Sequence, residues 1–323
     1  MTLRALHDVP APAKLNLFLH IVARREDGYH SLQSLFVLID WADRLHFERR
    51  GDGRLVRHDL GPPLPADDLC LRAARALAAA SGTPLGADIH LDKRLPAGAG
   101  MGGGSSDAAT TLLALNRLWG LDWPRQRLAS LALPLGADVP FFVLGRNAFV
   151  EGIGERITPL DVPTLSYAVV KPAASLDTAS VFSHPALKRD TEPVILAGSS
   201  GGRVHEGTLN AHPGDTDQGF AWAGQGFGRN DLQPVAEQRC PEVAEVSRWL
   251  EARFGNSRMT GSGSAVFARM VSMPGTAASP EAMPAPSAPP TAPSGALAGL
   301  PAGWVGRICR GLAQHPLLEW AGD

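Results

Sequence analysis

Residues 96–106, PAGAGMGGGSS, bring Gly98, Gly100, Gly102, Gly103 and Gly104 into one short stretch. Each glycine costs backbone entropy on folding, so a cluster between a strand and a helix needs a physical reason. Close approach of backbone N–H groups to phosphate oxygens is one such reason, and a helix starting near Ser106 adds the positive end of its dipole. Ser105 and Ser106 offer hydroxyls to a phosphate or a metal ion, and Asp107 follows in the expected first turn. The whole run, Pro96, Ala97, Gly98, Ala99, Gly100, Met101, Gly102, Gly103, Gly104, Ser105 and Ser106, is therefore read as a nucleotide-binding segment.

Three readings of the run compete. A Walker A loop needs Gly-Lys-Ser/Thr, and no lysine occurs between Lys93 and Lys171. Gly98, Gly100 and Gly103 satisfy the dinucleotide pattern GxGxxG, which normally follows a buried apolar strand. Here the preceding strand carries Asp88, His90 and Asp92 on alternate positions, and Pro96 interrupts the approach. The third reading is a flexible turn without a ligand; the serines and the helix start that follow favour a phosphate.

Elsewhere, Lys14 and Asn16 lie two apart in KLNLFLHIV and share a strand face. A lone lysine at a strand edge is by default a solvated one. Asp138, in Gly-Ala-Asp-Val-Pro, has the position of a helix N-cap with Pro140 in the first turn. Tyr29 and His30 follow an Asp-Gly turn, where tyrosine usually packs and histidine usually sits at the surface.

The elements that must position these groups are legible in outline. Period-two alternation predicts a strand over 14–22 buried on its leucine face, with further strands at 34–39, 44–48, 87–94, 166–171 and 265–270. Helices are expected over 67–80, 107–118, 124–131 and 240–254. Residues 148–154 begin a turn-rich crossing into the second half. Residues 188–229 are glycine-rich and polar, and 274–295 hold seven prolines and a single charge, Glu281. Both stretches read as flexible surface loops, because such compositions bury too little apolar area to offset ordering entropy.

Composition narrows the class. The 323 residues suffice for two domains, and 44% hydrophobic residues can bury a sizeable core. A formal net charge of −2 gives no electrostatic footprint for nucleic acid or anionic lipid. Cys70, Cys240 and Cys309 are widely separated, so neither a disulfide framework nor a zinc site is expected. With no apolar signal core or membrane-length run, a cytoplasmic protein is expected. Oligomeric state is not readable.

Three separated motifs, PAPAKLNLFLHIVARREDGYHSLQSLF, DKRLPAGAGMGGGSSDAA with LGADVPFF, and RMTGSGSAVFA, resemble the GHMP superfamily of small-molecule kinases. PAKLNL with DGYH is similar to the branch acting on a cytidyl-diphosphate-linked methylerythritol alcohol of the non-mevalonate isoprenoid pathway. The likeness covers most of residues 10–182 and 228–270. It implies an α+β fold of two domains: a ribosomal S5 domain 2-like N-terminal domain over 1–160 and a GHMP C-terminal domain over 161–323, with flexible insertions near 188–228 and 274–302.

The resemblance further implies ATP as co-substrate with Mg2+, and phosphorylation of the C2 hydroxyl of the cytidyl alcohol. Asp138 becomes the general base and Lys14 its charged partner near the γ-phosphate. Asn16, Tyr29, His30, Thr178 and Phe182 become substrate-binding residues, with Tyr29 and Phe182 on the two faces of the base and His30 at its polar edge. Phe182 is equally readable as a core residue. Gly261, Ser262 and Gly263 are expected to form a tight turn near the substrate phosphates or the glycine run. No carboxylate ligand for the metal stands out. The rivals are a mevalonate- or homoserine-class kinase, a dinucleotide-dependent oxidoreductase, and a silent binding protein of the same fold.

Overall fold

A computed structural model of the chain describes residues 3–194, 228–270 and 295–323. Two long strands, β1 (Ala5–Arg24) and β2 (His30–Arg50), pair antiparallel from Ala5↔Glu48 to Arg24↔His30 around a turn in which Gly28 takes φ 86°. The expected strand at 14–22 is the middle of β1. The strands expected at 34–39 and 44–48 are one continuous strand, because the polar break between them is not a loop. Asp43 there is fully buried and accepts the N–H groups of Arg94 and Leu95 at 2.6 and 2.7 Å.

The leucine face of β1 is buried as its alternation requires, but so is the opposite face. Lys14, Asn16, Phe18 and His20 are all buried. The polar alternation that reads as a solvent face is instead the floor of a site.

β2 organises the first half of the chain. It pairs with β4 (Gly86–Asp92) through Arg44–Arg50, and β4 pairs in parallel with the short β3 (Leu55–Asp59). One face of this sheet is covered by four helices: α1 (Leu69–Ser81), α2 (Gly103–Leu118), α3 (Arg125–Ala132) and α4 (Val139–Leu144). Leu77, Leu112, Leu115, Leu128 and Phe141 from the helices meet Leu38, Leu45 and Ile89 from the strands in one core. α1 has a clear start and stop: Asp68 accepts the N–H of Leu71 at 3.0 Å, and Gly82 closes it at φ 65°. α2 begins earlier than the sequence predicts, because Gly103 and Gly104 are already helical behind Gly102 at φ 71°. The turn-rich crossing proves to be a hairpin of β5 (Ala148–Gly152) and β6 (Arg156–Pro159), with β5 on the early part of β2.

The second half contributes β7 (Ser166–Lys171), α5 (Thr178–Phe182), α6 (Gln233–Arg239), α7 (Pro241–Phe254), β8 (Arg258–Met259), β9 (Val266–Met270) and β10 (Val305–Leu312). β10 runs antiparallel to β7, and its last residues pair with β2 through Gly311↔Ile39 and Leu312↔Leu38. One sheet therefore runs in the order β3-β4-β2-β10-β7-β9-β8.

The two stretches expected as flexible insertions fall largely on 195–227 and 271–294, outside the described residues. Their described flanks are packed rather than loose. Leu297 and Leu300 lie against the core built on α7 and β9. Thr191 donates its N–H to Ile21 O at 3.0 Å and its hydroxyl to Asp231 Oδ2 at 2.6 Å. Among the described residues, no helix is long and apolar enough to cross a membrane.

The β2–β10 junction is narrow, and the buried Asn147 amide bridges it. Asn147 donates to Leu312 O and accepts from Leu38 N, both at 2.9 Å. Asn147→Ala leaves a buried N–H and a buried carbonyl without partners, at a cost of about 1–3 kcal/mol. Urea titration should show a lower midpoint with an unchanged m-value; an unmoved midpoint contradicts the bridging role.

Candidate active site

The glycine run leaves β4 at Lys93 and enters α2. Gly98, Gly100 and Gly102 take φ of 62°, 72° and 71°, a region closed to most side chains. Two of them also lack room. A Cβ on Gly100 would lie 2.3 Å from Thr260 O, and one on Gly102 would lie 2.9 Å from the Phe142 ring and 3.4 Å from Lys14 Cε. Gly102 brings no side chain to cap the first amides of α2, so these remain available to an anion. The run borders a cavity of about 500 Å³, whose other walls include Leu64, Pro65, Asp68, Leu69 and Lys93.

Thr260–Ala265 closes on the run from the second half. Ser264 N–H donates to Gly98 O at 3.0 Å and Ala265 N–H to Ala99 O at 3.2 Å. A Cβ on Gly261 would meet Gly100 O at 2.6 Å. The Gly261–Gly263 turn thus packs against the glycine run, one of the two places expected of it.

Lys14 lies beneath this junction. It is 3% exposed, its N–H donates to Met101 O at 3.0 Å, and its ammonium donates to Asn16 Oδ1 at 2.6 Å. The ammonium also lies 4.1 Å from the Phe36 ring centroid and 3.4 Å from Asp138 Oδ2. A solvated edge lysine is excluded. Burial pushes its pKa below the ordinary lysine value, and the Asp138 charge opposes that shift without cancelling it. Asn16 is held in turn: Nδ2 donates to Ser34 Oγ at 2.9 Å, and the backbone N–H donates to Thr260 Oγ1 at 2.9 Å.

Asp138 stands immediately before α4, the position expected of a cap, but its side chain makes no capping bond. The carboxylate turns to the Lys14 ammonium instead, a charged partner worth more than a neutral amide. Of the cap and base roles expected from the sequence, the structure removes the cap. The Asp138 side chain remains about a third open to solvent, at 31%.

A second cluster forms where β2 begins. The His30 and Phe182 rings are 5.5 Å apart at 37°. Phe182 also packs on the core beneath it, so the core reading and the ring contact both hold. Arg189 donates to His30 Nε2 at 2.9 Å. Burial, then the charges of Arg189 and Arg24, hold the His30 pKa below the ordinary imidazole value. Tyr29 is 61% exposed, its ring free to cover a ligand. Thr178 Oγ1 lies 2.7 Å from Ser262 Oγ, tying α5 to the turn that clasps the glycine run.

Ser105 is partly exposed at the cavity rim, whereas Ser106 is fully buried and donates its hydroxyl to Pro12 O at 2.7 Å. Among the described residues, no cluster of three or more His, Cys, Asp or Glu is arranged to cage a metal ion.

Sequence reasoning missed a buried charge cluster beside the cavity. Lys93 bridges Asp43 and Asp107, with Asp107 Oδ2 at 2.6 Å. Burial opposes the Lys93 charge, but the two carboxylates outweigh it and raise its pKa. Burial also raises the pKa of Asp107. Thr260, Ser34 and Arg189 were missed too; Thr260 and Ser34 lie within two of the quoted motifs, and Arg189 lies in none.

Residues 68–146 match the family described as GHMP kinases N terminal domain, and 218–271 match GHMP kinases C terminal. The 4-diphosphocytidyl-2-C-methyl-D-erythritol kinase of Methylibium petroleiphilum is 55% identical over 100% of both chains. That of Verminephrobacter eiseniae is 54% identical over 99% of each. A crystal structure of 4-(cytidine 5'-diphospho)-2C-methyl-D-erythritol kinase superposes with TM-score 0.64 at 38% identity, covering 80% of this chain and 88% of that one. Homoserine kinase from Cytophaga hutchinsonii, at 19% identity and TM-score 0.60 over 84% of this chain and 87% of that one, shares the fold. The glycine run, the Lys14–Asp138 pair and full-length identity above half together place the chain: it belongs to the 4-diphosphocytidyl-2-C-methyl-D-erythritol kinase family of the GHMP kinases.

Proposed function

We propose that this chain transfers the γ-phosphoryl group of ATP to the C2 hydroxyl of 4-diphosphocytidyl-2-C-methyl-D-erythritol, a step of non-mevalonate isoprenoid synthesis. The observation that carries the reading is the ion pair of buried Lys14 with partly exposed Asp138 beneath the glycine run. Phosphoryl transfer asks the protein mainly for positioning and for charge at the transferring group. The open amides of α2 and the backbone of residues 96–105 receive the nucleotide phosphates. Asp138 accepts the proton of the attacking hydroxyl, and Lys14 orients Asp138 while facing charge that develops on the γ-phosphoryl oxygens.

The base of the alcohol substrate lies at the start of β2, between Tyr29 and Phe182 and against His30. Ser34, which holds Asn16, is four residues along the strand from His30, roughly 13 Å at the rise of an extended chain. Asn16 and Thr178 line the path between the two ends. Magnesium bound with the nucleotide would supply charge neutralisation at the phosphates, and the hydroxyl of Ser105 would be a hard oxygen donor suited to hold it. Three separate buried free thiols, Cys70, Cys240 and Cys309, favour a reducing, cytoplasmic setting.

Turnover measured with the cytidyl substrate beside mevalonate and homoserine tests the reading. Turnover is expected with the cytidyl substrate alone, and phosphorylation confined to the other two sinks it. Tight NAD(H) binding without ATP binding would instead favour an oxidoreductase.

Asp138→Asn should lower kcat by roughly 10²–10⁴-fold with a stable fold, the usual range for a lost general base. Undiminished turnover requires a different base.

Lys14 adds a pH prediction. Its pKa lies below the ordinary 10.5, and the charged form is the working one. Activity therefore falls as pH rises through a limb centred below 10.5. A kcat/KM profile flat to that value contradicts the assignment.

A further inference from the structure

His30 faces a cation that constrains its chemistry. Arg189 uses every nitrogen of its guanidinium: Nε donates to His30 Nε2 at 2.9 Å, Nη1 to Leu187 O at 3.0 Å, and Nη2 to Phe182 O at 3.1 Å and His184 O at 2.8 Å. The carbonyl bonds anchor it to the segment that carries Phe182, so its position against His30 is fixed by several contacts. A guanidinium has no lone pair and keeps its proton at any ordinary pH. The ring nitrogen it donates to must therefore carry the lone pair. A neutral imidazole has one N–H, and with Nε2 accepting, that N–H is on Nδ1. Burial first, then the charges of Arg189 and of Arg24, its cross-strand partner on β1, favour the neutral ring.

We propose that Arg189 is a positioning residue that fixes His30 as the Nδ1–H tautomer, so that the imidazole offers the substrate base a donor and selects cytosine over uracil. The inference rests on the cytidyl-kinase reading above. Cytosine presents an acceptor at ring N3 and a donor at its exocyclic amine, whereas uracil carries N–H at N3 and a carbonyl in place of the amine. A donor at Nδ1 pairs with cytosine N3 and meets the uracil N3–H head on. Were Nδ1 the acceptor, the preference at that atom would reverse. A site built around a directional polar group rejects the mismatched partner strongly, because a buried group is left unpaired.

The test has two arms. In the first, ¹⁵N NMR of the ligand-free full chain reads the His30 tautomer in the wild type, Arg189→Lys and Arg189→Met. Protonation on Nδ1 is expected in the wild type, largely retained in Arg189→Lys, which keeps a cationic donor, and lost to a mixture in Arg189→Met. A wild-type ring protonated on Nε2 overturns the proposal, as does a tautomer indifferent to Arg189→Met.

In the second arm, KM and kcat are measured for the cytidyl substrate and its uridyl analogue. Arg189→Met should raise the cytidyl KM by roughly ten- to a hundredfold, narrow the preference over uridyl, and leave kcat and the ATP KM within a few-fold; Arg189→Lys should recover much of the loss. A purely structural role would move the ATP KM as well and would not be rescued by lysine. A tautomer that follows Arg189 while cytidyl KM and base preference stay put overturns base selection. Failure of the underlying reading is distinct, since the wild type would then not phosphorylate the cytidyl substrate at all. Should Arg189→Met fail to fold, the wild-type tautomer and the Arg189→Lys base preference still decide the matter.

Discussion

The site depends on two stretches of backbone meeting with no side chain between them. Ser264 and Ala265 donate their N–H groups to the carbonyls of Gly98 and Ala99, and Gly100 lies against Thr260 and Gly261 at distances that no Cβ could occupy. The glycines of the run therefore answer two demands at once. One is the phosphate approach that their density implies. The other is a clasp between the first and second halves of the chain, and Gly100 and Gly261 are glycine for that reason whether or not a nucleotide is bound. The clasp also fixes Thr260, whose hydroxyl accepts the N–H of Asn16. In this way the second half of the chain helps set the strand face that carries Lys14.

Along that face, a single strand pair joins the two ends of the proposed substrate. β1 supplies Lys14 and Asn16, and β2 supplies His30 and Ser34, in an antiparallel register that places Asn16 against Phe36. The Ser34 hydroxyl donates to the backbone at Phe18 O at 2.5 Å and accepts from Asn16, so the polar chain between the strands is closed. A ligand lying along β2 would meet rigid sheet rather than loop, which favours precise placement of a hydroxyl against Asp138.

Much of this was legible in the sequence, for reasons tied to particular residues. The glycine run declared itself by composition; period-two spacing put Lys14 and Asn16 on one strand face, and only the family resemblance gave them roles. The 14–22 strand was read with one buried face because its other face is polar. In the structure the polar groups of Lys14 and Asn16 are met internally, by Ser34, Thr260 and Asp138, none of them on the same strand. Asp43 looked like a strand break for the same reason: its partners Lys93, Arg94 and Leu95 are some fifty residues away. β10 escaped notice because VGRICRGL carries arginines on its exposed positions, and β3 because it is short and on the sheet edge. Arg189 had no local signal at all. Its meaning exists only once a segment 159 residues from His30 folds back on it.

Buried Lys14 and partly buried Lys93, both beside the glycine run, show how partner number, rather than burial alone, sets what such a charge can do. Lys93 lies between two carboxylates, and its pKa is raised despite desolvation. Its charge is already answered, and it holds together β2, the loop and α2. Lys14 has one carboxylate at 3.4 Å, a carboxamide oxygen and an aromatic face, and its pKa is lowered. Its positive charge is therefore only partly compensated in a setting where water cannot make up the difference. An anion arriving beside it gains more than it would beside Lys93, and by linkage that anion strengthens the hold of Lys14 on its proton. The under-compensated lysine is thus the one suited to a transferring phosphoryl group, and the fully paired one is suited to holding the loop still while the transfer occurs.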